Sequence, residues 1–93
     1  MLNREQVAFL RKEGQSIKPY LLGKGEVDQN FIALVDKGLE ANELIKIKLL
    51  NNSVLNAKEV AAEVATRLNA EVVFIVGHTA LLYRHSKKGI YFK

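Results

Sequence analysis

Gly23-Lys24-Gly25-Glu26 stands between an aliphatic run and a stretch of helical periodicity. Glycines without a Cβ let a ligand approach the backbone closely, amides at the start of a helix attract anions, and Lys24 adds a full positive charge. The chemistry on offer is capture of a phosphate-like group. The same residues also make an ordinary strand-to-helix turn, and the loop alone does not separate the two readings. Lys46 and Lys48 are two apart on a predicted strand and therefore share a face. There they either meet anions or solvate a sheet face and guard an edge. Arg84, Lys87 and Lys88 follow the last predicted strand with no acidic residue near them, and Arg11, Lys12 and Lys18 lie near the end of the first helix and the start of the first strand. Arg11, Lys12 and Lys18 join Lys24 in one patch if the fold makes the two strand ends neighbours.

Groups suited to covalent chemistry are not gathered in this way. His78 and His85 are seven residues apart, one in a predicted turn and one at a strand end, and there is no cysteine to complete a metal site. Ser16, Ser53 and Ser86 lie in predicted loops without a nucleophile-elbow sequence. The carboxylates fall mostly at solvent-type positions of the second and third predicted helices. No P-loop or dinucleotide fingerprint occurs. The expectation is a protein that is not an enzyme, with no metal, no cofactor and no small-molecule substrate.

These residues are carried on a short chain. Its 93 residues are 48% hydrophobic, lack cysteine and bear a formal charge of +4. That size fits one domain over residues 1–93, with enough apolar residues for a core. No apolar stretch approaches the roughly 20 residues needed to cross a bilayer, and the first residues do not read as a signal peptide. A monomeric cytoplasmic protein is expected, without a membrane partner. The charge is uneven: +3 over residues 1–25, −3 over 26–72 and +4 over 73–93. A basic front and tail around an acidic middle point to a one-sided positive surface.

The elements that must position these residues follow from periodicity. Asn3 with Gln6 forms a capping box, Leu2 and Val7 a hydrophobic staple, and Gly14 a stop, which together define a first helix. Residues 17–22 read as a strand, with Pro19 near its start or on an edge. Asp28 begins a second helix bearing Phe31, Leu34, Val35 and Leu39 at helical spacing. Residues 43–50 alternate as a strand, with Ile45, Ile47 and Leu49 on one side and Leu44, Lys46 and Lys48 on the other. Asn51-Asn52-Ser53 is a turn signal. A third helix runs from the cap Asn56 to Asn69, and residues 71–76 and 79–84 form a hairpin about Gly77-His78. The order is α-β-α-β-α-β-β, an α+β fold with a four-stranded mixed sheet. Its strand–helix–strand units imply parallel pairings, and its final hairpin an antiparallel one. The third helix should cover one face of the sheet and the first helix part of the other.

Three separated segments carry a resemblance. The run 22–27, Leu-Gly-Lys-Gly-Glu-Val, is followed after one helix by Leu39-Glu40-Ala41-Asn42-Glu43-Leu44-Ile45-Lys46-Ile47-Lys48. The closing segment 75–87 contains Gly77-His78-Thr79 and Leu82-Tyr83-Arg84. Together they resemble the YhbY family, the stand-alone form of the CRM (chloroplast RNA splicing and ribosome maturation) domain. The resemblance covers essentially the whole chain. It implies a fold like the C-terminal domain of translation initiation factor three, an RNA-binding role at precursors of the large ribosomal subunit, and a Gly-x-x-Gly loop like that of KH domains. Here the sequence departs from the pattern: Glu26 stands where the second glycine is expected, and Gly25 is one residue early. A carboxylate 4 Å from a phosphate costs about 1 kcal/mol in water.

Gly23, Lys24 and Gly25 are therefore carried over as RNA contacts, joined by Lys12, Lys18, Lys46, Lys48, Arg84, Lys87 and Lys88. Tyr20, Tyr83 and Tyr91 carry rings that either stack on bases or pack internally. The expected function is binding of ribosomal RNA during large-subunit assembly. The alternative is a module that binds a ribosomal protein or assembly factor through the same fold.

Overall fold

The computed structural model describes residues 2–22, 28–50, 56–87 and 89–92. The glycine loop at 23–27, the turn at 51–53 and Lys88 lie outside the described residues. The elements run α1 (Arg4–Gly14), β1 (Tyr20–Leu22), α2 (Gln29–Asn42), β2 (Leu44–Leu49), α3 (Ala57–Leu68), β3 (Glu71–Val76) and β4 (Thr79–Tyr83). This is the α+β order expected from the sequence.

Local chemistry sets the helix ends. Asn3 and Gln6 exchange side chain–backbone bonds of 2.8 and 2.9 Å, Asp28 accepts from the Phe31 amide at 2.8 Å, and Asn56 accepts from the Glu59 amide at 2.7 Å. Each cap is worth about 1 kcal/mol over alanine. Asn69 ends α3 in the left-handed region at φ 55°, which asparagine tolerates better than most residues.

Helix α1 ends at Gly14, as expected, but Gly14 does not take the left-handed conformation of a glycine cap. The following Gln15 keeps right-handed helical angles. A Cβ on Gly14 would lie 2.8 Å from both methyls of Leu81. The glycine is there so that α1 can approach the sheet. Gly38 plays the same part inside α2, where a side chain would collide with the Tyr20 ring and hydroxyl.

The strand order is β1-β2-β4-β3, with β1 and β2 parallel and β4 antiparallel to both its neighbours. The parallel pair expected around α3 does not form, because β4 lies between β2 and β3. The cause is visible in burial. Ala80 and Leu82 on one face of β4, and Leu81 and Tyr83 on the other, are all buried. A strand apolar on both faces is most stable in the middle of a covered sheet. The two-residue turn Gly77-His78, with Gly77 at φ +56°, returns β4 beside β3 and leaves its far edge to β2. Strand β1 begins only at Tyr20, after Pro19, whose missing N–H suits this edge position.

Helices α2 and α3 cover one face. Phe31, Val35, Leu39, Val60, Ala61 and Val64 pack there against Ile45, Ile47, Leu49, Ala80 and Leu82. On the other face Leu10 of α1 packs with Leu44, Val73, Leu81 and Tyr83. The tail folds onto that second cluster. Phe92 meets Tyr83 edge-on at 5.5 Å between ring centroids, and Phe9 meets Tyr91 at 6.1 Å. Among the described residues no helix is long and apolar enough to cross a membrane.

Candidate functional site

Helix α1 covers only part of its sheet face. Cross-strand partners share a face, so the register defines two rows beyond its well-covered end. One row runs Lys46–Leu81–Phe74 across β2, β4 and β3. The next runs Leu21–Lys48–Thr79–Val76 across all four strands. Leu21 is 59% exposed and Val76 57%, so this second row forms an open sheet surface. Lys48 lies on it and half-buried Lys46 on the neighbouring row of the same face, as the strand alternation predicts. The chain leaves the same end of the sheet at Leu22 and enters the sequence Gly23-Lys24-Gly25.

The last turn of α1 borders this surface. The Arg11 guanidinium lies 3.8 Å from the centroid of the Phe74 ring, a cation–π contact across the helix–sheet junction. Arg11, Gly14 and Gln15 of the helix face Lys46, Phe74, Thr79 and Leu81 of the sheet across a cleft of about 320 Å³. Lys12 is exposed on the same helical turn. Arg11 belonged to the basic segment seen in the sequence, but nothing there linked it to Phe74.

The other expected contacts are placed differently. Lys18 lies by Asn42, Leu44 and Tyr91, at the opposite end of β2 from Lys48. Lys87 is exposed in the tail next to Ser86, again at that opposite end. The structure thus separates the basic residues into two groups. Arg84 is committed internally, with its side chain only 17% exposed. Its guanidinium bonds the Leu68 carbonyl at 3.0 Å and the Asp36 carbonyl at 3.1 Å, and pairs with the Asp36 carboxylate at 2.8 Å and Glu40 at 3.4 Å. It ties the end of α3 to the later turns of α2. Tyr20 packs against the α2 cluster and Tyr83 is buried. Among the described residues the Tyr83 hydroxyl has no hydrogen-bond partner. Burial, with the charges of Glu43 and Glu71, holds its phenol above the ordinary range.

Glu43 is the residue the sequence reading misplaced. It is not the first residue of β2 but the cap of α2 at φ 67°, and it is fully buried. Its carboxylate accepts from the Ser86 amide at 2.7 Å, the Ser86 hydroxyl at 2.6 Å, the Ile90 amide at 3.0 Å and the Tyr91 amide at 3.3 Å. Burial alone would raise its pKa. The Ser86 hydroxyl and the amides of Ser86, Tyr91 and Ile90 outweigh that and hold it below the ordinary value. The only signal in the sequence was an acid between a helix and a strand. Among the described residues, no group of three His, Asp or Glu side chains could hold a metal ion.

Comparison with known proteins places this arrangement in context. The family model of the CRS1/YhbY (CRM) domain matches residues 2–84. The chain is 35% identical over 89 residues to the "Probable RNA-binding protein YqeI" of Bacillus subtilis, covering 95% of this chain and 93% of that protein. It is 32% identical over 78 residues to the "Probable RNA-binding protein MJ0652" of Methanocaldococcus jannaschii, covering 82% of this chain but 58% of that longer protein. The solution structure of the hypothetical protein SAV1595 from Staphylococcus aureus superposes with a TM-score of 0.82 at 33% identity, covering 100% of this chain and 98% of that one.

Proposed function

This chain belongs to the CRS1/YhbY (CRM) domain family, and from that premise we propose that it binds RNA through the open sheet surface beside α1. Lys46 and Lys48 engage phosphates there, Arg11 flanks them, and Gly23, Lys24 and Gly25 continue the contact from the end of β1. The observation that carries this reading is the row Leu21–Lys48–Thr79–Val76. It leaves a sheet face open beside two lysines, whereas α2 and α3 cover the opposite face. The names of the relatives support RNA as the ligand. Lys12 widens the same edge. Lys18 and Lys87 form a second basic margin for a large RNA, to which Lys88 adds its charge as the next residue in sequence, and Arg84 serves the fold.

The RNA is ribosomal, in precursors of the large subunit, and the protein acts as a non-catalytic assembly factor in the cytoplasm. Phosphate contacts provide the affinity, and RNA shape provides much of the specificity. The test is an anisotropy titration of large-subunit ribosomal RNA fragments against salt. Each phosphate contact contributes about −0.7 to −0.9 to the slope of log K against log salt. The double variant Lys46→Gln, Lys48→Gln should flatten the slope by about two such contacts. A wild-type slope near zero, or a variant slope equal to it, overturns the reading.

A further inference from the structure

We propose that the cleft between the last turn of α1 and the sheet seats one unpaired nucleobase, with Arg11 stacked on its face. This rests on the RNA-binding reading above and names the part of RNA that the site takes. The cleft has the chemistry of a base. Its lining combines apolar Phe74, Val76 and Leu81 with the polar groups of Gln15, Lys46 and Thr79. A nucleobase has apolar faces and polar edges, and Gln15 and Thr79 each offer both donor and acceptor capacity to such an edge.

Its size is about 320 Å³, at the small end of ligand sites, and suits one ring system better than a helix of paired bases. Gly14 lines the same cleft, and with no Cβ there α1 closes onto Leu81. The cleft is therefore walled by a helix seated tightly on the sheet.

Arg11 is pre-positioned for stacking. Its guanidinium carbon lies 3.8 Å from the centroid of the Phe74 ring, and the planar guanidinium is a group that stacks on aromatic faces. Arg11 remains exposed. A planar cation held this way presents a surface on which a base stacks, while its N–H groups stay directed at a base edge or a phosphate. Lys46, which lines the cleft, and Lys48 on the next row supply the charges for the phosphates flanking that base. A duplex keeps its bases paired and stacked, so it cannot fill the cleft without paying to extrude one.

Binding should be compared for an unstructured RNA octamer and an RNA duplex of equal charge, with wild type and Arg11→Lys. Lysine keeps the charge and loses the planar face. Expected is a loss of about tenfold on the octamer, within the range of one base–aromatic stack, with duplex binding unchanged. Independently, titrating uridine and adenosine 5′-monophosphates into wild type should shift the NMR signals of Gly14, Phe74 and Leu81 and leave those of Lys18 in place. The base seat is overturned, with RNA binding intact, if Arg11→Lys binds both RNAs like wild type or if the monophosphates perturb other regions. If wild type binds neither RNA, the RNA-binding reading itself fails and the base seat with it.

Discussion

The carboxylate of Glu43 accepts hydrogen bonds from both the amide and the hydroxyl of Ser86, at 2.7 and 2.6 Å. One oxygen serves Ser86, and the other serves the amides of Ile90 and Tyr91. The Glu43 carbonyl also accepts from the Arg84 amide at 2.9 Å. A buried anion is costly unless its lone pairs are filled. Here they are filled by the tail, which is drawn over Tyr83 and Phe9.

Replacing this acceptor should release the tail. Glu43→Gln puts an N–H₂ group where donors converge. Leaving a buried donor unpaired costs about 1–3 kcal/mol, so denaturant unfolding should show a loss of at least that order. Hydrogen exchange at Ser86, Ile90 and Tyr91 should accelerate more than at Leu82. Equal protection in variant and wild type would show that the tail is held by its aromatic contacts alone.

The same carboxylate sets a pH dependence. Glu43 titrates below the ordinary value of 4.5, so between its folded and unfolded pKa values the unfolded state binds more protons. Its contribution is fully present above the unfolded value and is lost as pH falls through the lower folded value. The stability gap between wild type and Glu43→Gln should stay constant from pH 7 to about pH 5 and close on further acidification. A gap that widens in acid would contradict the assigned direction.

Arg84 should behave as a structural residue. Arg84→Gln leaves the Leu68 and Asp36 carbonyls without their charged donor, an expected loss of about 1–3 kcal/mol. The pair with Glu40 is long and its acid is exposed, so it adds only about a few tenths. The salt slope of RNA binding should not change. Lys48→Gln should do the reverse, with stability within about 0.5 kcal/mol of wild type and a slope reduced by about 0.7–0.9. Thermal melts and salt titrations on both variants separate the roles.

Gly38→Ala sets two effects against each other. Helix propensity favours alanine by about 1 kcal/mol, while overpacking against the Tyr20 ring costs about 1–3 kcal/mol. Net destabilisation is expected in the wild-type background. With Tyr20→Leu, which withdraws the ring, the same change should become stabilising. A double-mutant cycle by urea unfolding reads the coupling directly, and simple additivity would exclude the contact.

Much of this molecule was written locally in the chain. The Asn3–Gln6 box, the caps Asp28, Asn56 and Asn69, the Gly77-His78 turn and the alternation of Lys46 and Lys48 each arise from residues a few positions apart. Their physics is contained in one turn of helix or one hairpin. The order of elements and the face carrying the two lysines followed from these. The three family-like segments were likewise legible in the sequence.

Tertiary structure decided what depends on partners distant in sequence. It placed β4 between β2 and β3, because only the assembled sheet buries both faces of 80–83. It made Gly14, where α1 ends, a point of close packing and sent Arg84 to carbonyls at the end of α3 and within α2. It laid Arg11 over Phe74 and buried Glu43, 43 residues from Ser86. Periodicity reports which face a residue occupies, not which distant group completes its hydrogen bonds or balances its charge. That pairing exists only once the chain has closed around it.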